Sequence, residues 1–162
     1  MAATPDDLFK RLQELGIAHQ THQHEPVFTV EEAQSVSRTL SGGHSKNLFL
    51  KDKKGNMYLL VCLEDTKVDL KELRKKIGAQ NLSFGKPELL NELLGVTPGS
   101  VTPFALINDT AGQVKVLLDA KMVEEEFLNF HPLINDQTTQ ISMNDLKLFI
   151  EATGHDMTVI NL

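Results

Sequence analysis

Cysteine is nearly absent. Cys62 is the only one in 162 residues, so no internal disulfide can form, which fits a reducing cytoplasm. It sits in the apolar run Leu59-Leu60-Val61-Cys62-Leu63 and reads as a small buried-strand residue, not a nucleophile. Long apolar runs are also missing. None approaches the ~20 residues that span a bilayer, so no membrane partner is expected. Met1-Ala2-Ala3-Thr4 leads directly into a charged helix start, which predicts no signal peptide. Net positive charge is lacking as well. A formal charge of −6 argues against general nucleic-acid binding and against DNA as a partner. No Ser-His-Asp or Cys-His set is evident, so covalent catalysis is not indicated. Of His19, His22 and His24, only the last two have the spacing to share a strand face. No cysteine or placed carboxylate completes a set with them, so neither a metal nor a cofactor is expected. Repeats, linker-like composition and low-complexity segments are likewise missing.

What is present describes one domain over residues 1–162. The length allows a real core, and a hydrophobic content of 41% argues against disorder. Thr4-Pro5-Asp6-Asp7 is a helix start with a cap, Pro at the first position and acids at the dipole. Leu8, Leu12 and Leu15 form its stripe, and Gly16 ends it. Residues 18–24 read as a polar strand. Thr29-x-x-Glu32 is a capping box opening a short helix. Leu48–Lys51 and Met57–Leu63 read as a hairpin. Asp69 caps a helix to about Ile77, and Pro87 opens another that ends before Gly95. Phe104–Ile107 and Val114–Leu118 read as a second hairpin. Thr138–Ser142, Asn144–Ala152 and Met157–Ile160 read as strand, helix and strand, with His155 at a surface turn. The expected fold class is α+β, with a mixed and mainly antiparallel sheet flanked by helices.

Three segments carry chemistry. Gly95 to Pro103 holds two glycines and two prolines after a helix, a stiff loop. The N–H groups of Gly99, Ser100, Val101 and Thr102 could be left free there to meet an oxyanion; a rigid turn before a buried strand is the plainer reading. Ser41-Gly42-Gly43-His44-Ser45-Lys46-Asn47 places a lysine and an asparagine at a strand mouth, suited to a phosphate. It is not a Walker loop, because the glycine spacing is wrong and a strand follows. The third is a charge asymmetry. Residues 44–86 hold ten Lys/Arg against five Asp/Glu, and residues 104–162 hold three against nine. Lys67, Lys71, Arg74 and Lys75 fall at spacings that let them share a helix face. That face is either solvated or a cradle for RNA phosphates.

Four segments occur in an order that resembles a known family: Glu25–Ala33, His44–Leu50, Gly99–Phe104 and Asn129–Pro132. The chain is similar to the YbaK-like superfamily of aminoacyl-tRNA deacylases, which includes the editing insertion domain of bacterial prolyl-tRNA synthetase. It most resembles the freestanding alanyl-tRNA(Pro) deacylases, or prolyl-tRNA-synthetase-associated domain proteins. The resemblance covers nearly the whole chain and implies a curved central sheet with the pocket between sheet and helices. It implies a catalytic set of Lys46, Gly99 and His131. It also implies substrate contacts from Asn47, Ser100, Val101, Thr102 and Pro103, with His44 and Phe28 nearby. His131 would position water or line the amino-acid pocket. Phe28 would either lie over that pocket or pack as a hydrophobic staple. With the resemblance, Lys67, Lys71, Arg74 and Lys75 become candidates for tRNA contact. The implied partners are aminoacylated tRNA(Pro) and, transiently, prolyl-tRNA synthetase. Two alternatives stay open: a deacylase of cysteinyl-tRNA(Pro) or another small aminoacyl-tRNA, and a non-catalytic tRNA- or synthetase-binding module.

Overall fold

Local signals set the helix ends. The computed structural model describes residues 2–26 and 40–162. In it, α1 is Pro5–Glu14. The Thr4 hydroxyl accepts the Asp7 N–H at 3.2 Å, and the Asp7 carboxylate accepts the Thr4 N–H at 2.9 Å, satisfying two orphan donors reciprocally. Leu8 and Leu12 are fully buried. The α2 helix, Leu70–Ile77, starts where Asp69 accepts the Lys71 N–H at 2.9 Å. α3 is Pro87–Leu94, and α4 is Met143–Ala152, capped by Ser142. The expected helix at Thr29–Glu32 lies outside the described residues.

The strands are β1 Gln20–Gln23, β2 Gly43–Lys51, β3 Met57–Leu63, β4 Ser83–Phe84, β5 Val114–Asp119, β6 Phe127–Phe130, β7 Gln137–Ser142 and β8 Met157–Ile160. Their order is β1-β7-β6-β2-β3-β5-β8, with β4 on β2. The pairs β1/β7, β2/β3, β2/β4 and β6/β7 are antiparallel, and β2/β6, β3/β5 and β5/β8 are parallel. The sheet is mixed, with antiparallel pairs in the majority, as expected.

The β2–β3 hairpin closes on Asp52. Its carboxylate accepts N–H groups of Lys54 and Asn56 at 3.0 and 2.8 Å. Burial raises the Asp52 carboxyl, but the hydrogen bonds from Asn56 and Lys54 outweigh it and hold the group below the usual range. Along β3, Leu59 and Val61 enter one core with Phe104, Phe130 and Phe149. Tyr58, Leu60 and Cys62 enter a second core with Leu50 and Leu73. Covering both faces explains the continuous apolar run. The helices α1, α3 and α4 lie over the first core, and α2 lies over the second. No helix among the described residues is long and apolar enough to cross a membrane.

Two expectations fail. Residues Pro103–Asn108 form a 3-10 helix, not a strand. Thr102 Oγ1 accepts the Phe104 N–H at 3.3 Å, and Pro103 at the first position favours the turn. A short apolar run cannot distinguish a buried helix from a buried strand. Instead of closing a second hairpin, β5 pairs in parallel with β3 and β8. His155, expected at a surface turn, is buried. Its Nε2 lies 2.8 Å from Asp109 Oδ2, and its Nδ1 lies 2.8 Å from Thr153 Oγ1. Its position after Gly154 suggests an exposed turn, but the partner that draws it inward lies 46 residues away in sequence.

Candidate active site

The site begins with the pleat of β2. Residues Ser45–Lys51 pair continuously with β3, with Lys46 opposite Cys62 and Asn47 opposite Val61. Alternation puts His44 and Lys46 on the second-core face, with Leu48 and Leu50. It puts Ser45, Asn47 and Phe49 on the first-core face. Lys46 and Asn47 therefore do not project together. Cys62, opposite Lys46, packs in the second core and marks the side; burial pushes its thiol up to about 12, against the opposing charge of Lys46. On the other edge, β6 borders β2 only at Gly43 and His44, and β4 only at Leu50 and Lys51. Among the described residues no strand borders Ser45–Phe49 on that edge.

A polar row crosses this half of the sheet on the Lys46 face. His44 aligns with Asn129 of β6, Asn129 with Gln140 of β7, and Gln140 with Gln20 of β1. Thr138 aligns with His22. Asn129 and Gln140 fasten the strand mouth. Asn129 Nδ2 donates to the carbonyls of Ser41 and Gly43 at 2.9 and 3.1 Å, and Gln140 Nε2 donates to Ser41 O at 2.8 Å. Gly42 passes beneath them at φ +90°, where a Cβ would stand 3.1 Å from Asn129 Nδ2 and from Phe127 O. Only glycine suits that approach. His44 Nε2 lies 3.0 Å from Leu40 O.

His131 follows Asn129 by two residues and continues the row past the end of β6. Its Nδ1 lies 3.0 Å from Gln137 O. A carbonyl can only accept, so Nδ1 carries the hydrogen and the neutral ring keeps a lone pair on Nε2. Burial pushes the ring below the usual imidazole range; the bond to Gln137 O opposes the shift, and the facing His24 adds to it. The His24 ring is 6.3 Å away. Its own nitrogens meet Glu25 O and Thr138 Oγ1, each at 2.8 Å. Lys46 is half-buried and has no ion-pair partner among the described residues. A lysine unpaired among the described residues and a neutral imidazole thus occupy one face.

The Gly99–Pro103 loop meets β2 from the first-core face. Asn47 Nδ2 donates to Val101 O at 3.2 Å and to Ser45 Oγ at 3.3 Å. Ser45 Oγ in turn donates to Asn129 O at 2.9 Å. Asn47 Oδ1 is buried without a hydrogen-bond partner among the described residues, which leaves its desolvation uncompensated there. Residues Pro98–Ser100 form a 3-10 turn, which spends the Ser100 N–H on Thr97 O at 2.9 Å. The sequence predicts four free N–H groups here; that of Ser100 is not available. Ser100, Thr102 and Pro103 are buried, and Gly99 and Val101 are half-buried.

The basic face is smaller than its spacing suggests. Lys71, Arg74 and Lys75 share a face of α2, but Lys67 precedes the Asp69 cap and is not helical. Lys75 sits 3.6 Å from Glu72, an exposed pair of small value. Leu73 packs α2 on the second core, so these cations lie on the same side of the sheet as Lys46. Phe28 lies outside the described residues. Sequence reasoning gives no role to Ser45, Asn129, Thr138, Gln140 or His24. The alternating polar residues Thr138 and Gln140, facing Asn129 across a strand pair, are the signal available.

Comparison with known proteins identifies the family. The aminoacyl-tRNA editing domain family matches residues 24–149. The chain is 37% identical over 153 residues to the prolyl-tRNA editing protein ProX of Acetoanaerobium sticklandii, covering 94% of this chain and 93% of that one. It is 40% identical over 160 residues to the mouse prolyl-tRNA synthetase associated domain-containing protein 1, covering 96% and 94%. The crystal structure of a candidate trans-editing enzyme for prolyl-tRNA synthetase superposes with a TM-score of 0.73 at 18% identity, over 100% of this chain and 99% of that one; at that identity it speaks to the fold. The chain belongs to the aminoacyl-tRNA editing domain family, and its reaction is the deacylation of an aminoacyl-tRNA.

Proposed function

We propose that this protein edits in trans, hydrolysing alanyl-tRNA(Pro) in the cytoplasm after prolyl-tRNA synthetase has attached the wrong amino acid. The observation that carries this reading is the Lys46–His131 face: a lysine without an ion-pair partner among the described residues, a neutral imidazole whose Nδ1 is held by Gln137 O, and a basic helix on the same side. The ester of an aminoacyl-tRNA is activated enough for water to attack it once geometry and charge are arranged. Lys46 binds a phosphate or the ribose of the terminal adenosine as a point charge. His131 Nε2 holds the attacking water, with the ribose hydroxyl beside the ester assisting. At the unbordered edge of β2, which both faces of the sheet reach, Asn47 Oδ1 accepts from the α-amine, and the Gly99–Pro103 backbone holds the amine through a carbonyl or the ester carbonyl through an N–H. His44 lies beside the ribose. Lys67, Lys71, Arg74 and Lys75 take phosphates of the acceptor stem. Phe28 limits the acyl pocket.

Selection for a small acyl group follows from the error being corrected. A synthetase gains only ~1–3 kcal/mol per methylene when rejecting a smaller amino acid, so the mischarged groups to be removed are smaller than proline. A pocket sized for alanine then excludes the proline ring and spares the correct product. A transient contact with the synthetase would place the enzyme near newly charged tRNA. A deacylation panel with alanyl-, cysteinyl-, seryl- and prolyl-tRNA(Pro) tests the reading. Alanyl-tRNA(Pro) should be hydrolysed fastest and prolyl-tRNA(Pro) spared. A preference for the cysteinyl ester would reassign the substrate, and hydrolysis of none would remove the enzymatic reading.

A further inference from the structure

A groove of about 690 Å³ lies between α4 and the end of the sheet at β8. It opens at the end of the sheet on the first-core side: Leu118, Met143 and Met157 reach it from that core, and Phe127, which alternates with the core-facing Leu128, borders it from the strand end. Lys46 and the basic face of α2 are on the other side. Val123, Phe127 and Val159 line it while 50%, 43% and 51% exposed. A single exposed valine needs no explanation, but three large apolar side chains around one groove mark a contact surface. β8 ends the strand order, and among the described residues nothing pairs with its outer edge. Among the described residues, Glu125, Glu126, Glu151 and Asp156 border the groove, against Lys147 alone.

The charge decides the occupant. RNA is excluded, because phosphates would meet carboxylates. A two-fold contact with a second copy is disfavoured, because an isologous interface brings the same acidic rim against itself. We propose that this groove docks an extended segment of a partner protein that carries Lys or Arg beside large apolar side chains. The apolar side chains enter between Phe127 and Val159, the cations meet Glu151 and Asp156, and the segment backbone can pair with the β8 edge. The docking stands on this surface alone. If the tRNA face is the one proposed above, both partners can be held at once, on opposite sides of the sheet.

A random-peptide library displayed on phage and panned against the full chain tests this. Selected sequences should be enriched at least about twofold in Lys and Arg and should carry large apolar residues between them. Synthetic peptides made from them should bind about tenfold more weakly to Phe127→Ser and about fivefold more weakly to Glu151→Lys, an exposed helix position where the fold is not at stake. Circular dichroism checks that both variants are folded. Selection of neutral or acidic sequences, binding unaffected by either variant, or wild-type self-association in sedimentation equilibrium that these variants abolish would each overturn the proposal.

Discussion

Replacing His155 with leucine removes one half of a buried polar pair. The side chains of His155 and Asp109 are 2% and 1% exposed, with Nε2 and Oδ2 2.8 Å apart. Asp109 also accepts the Val114 N–H at 2.8 Å and the Gln113 N–H at 3.1 Å, so it fastens the turn into β5. Burial alone would raise the Asp109 carboxyl; the hydrogen bonds from His155, Val114 and Gln113 outweigh it and hold the group below the usual carboxylate range. Leucine would leave a buried carboxylate with two donors where it had three. Breaking such a pair costs about 3–5 kcal/mol. For a chain of this size, that is a drop of roughly 6–20 °C in Tm. Chemical denaturation of His155→Leu, Asp109→Asn and the double variant gives the coupling directly, and the double variant should cost less than the sum of the singles. The linkage sign follows from the lowered Asp109 pKa. The folded value lies below the unfolded one, so this stabilisation is present above the ordinary carboxylate pKa of about 3.9 and is lost as pH falls through the folded value. A loss below about 1 kcal/mol in His155→Leu would refute the reasoning, because that is the range of an exposed pair.

His131→Gln should lower single-turnover deacylation about a hundredfold. The wild-type rate should stay flat through neutral pH and fall only below the usual imidazole range, where the ring protonates and Nε2 loses its lone pair; a pH profile unchanged in the variant would remove His131 from the chemistry. Alanine at Lys71, Arg74 and Lys75 together should weaken tRNA binding and flatten its salt dependence, by about 0.7–0.9 in log–log slope for each phosphate no longer neutralised. An unchanged slope would return α2 to a solvated face. Gly42→Ala forces a side chain into φ +90° and against Asn129, so stability measured by denaturation should fall by about 1–3 kcal/mol; a neutral change would contradict the tight strand mouth.

Helix ends are readable because their signals are local. Thr4 with Asp7, Asp69 at the start of α2, and Pro87 with Gly95 each act within one element. The β2–β3 hairpin is readable for the same reason, through Asp52 and Gly55. What fails is set by distant partners. Phe104 to Leu106 are apolar in either a strand or a 3-10 helix; the Thr102 cap and Pro103 favour the helix locally, and packing of Phe104 against Phe130 and Phe149 fixes it. His155 depends on Asp109, and β6 on its pairing with β2 and β7. At the site, composition and motif order single out Lys46, Asn47 and His131. That Lys46 and Asn47 face opposite sides of the sheet becomes visible only with the register of β2 against β3. Asn129 and Gln140 act through alignment across strands, which no local window contains.

Ester hydrolysis on the Lys46 face is the proposal on which the function rests. Its most direct test is single-turnover hydrolysis of alanyl-tRNA(Pro) by the wild-type chain and by Lys46→Ala, with melting curves of both. Lys46 is half-buried and has no ion-pair partner among the described residues, so its removal should leave the melting curve unchanged. If Lys46 makes the proposed charge-assisted hydrogen bond to the substrate, transition-state stabilisation should fall by about 1.5–3 kcal/mol, a loss of roughly ten- to a hundredfold or more in rate. A Lys46→Ala enzyme that hydrolyses alanyl-tRNA(Pro) at the wild-type rate would contradict the account.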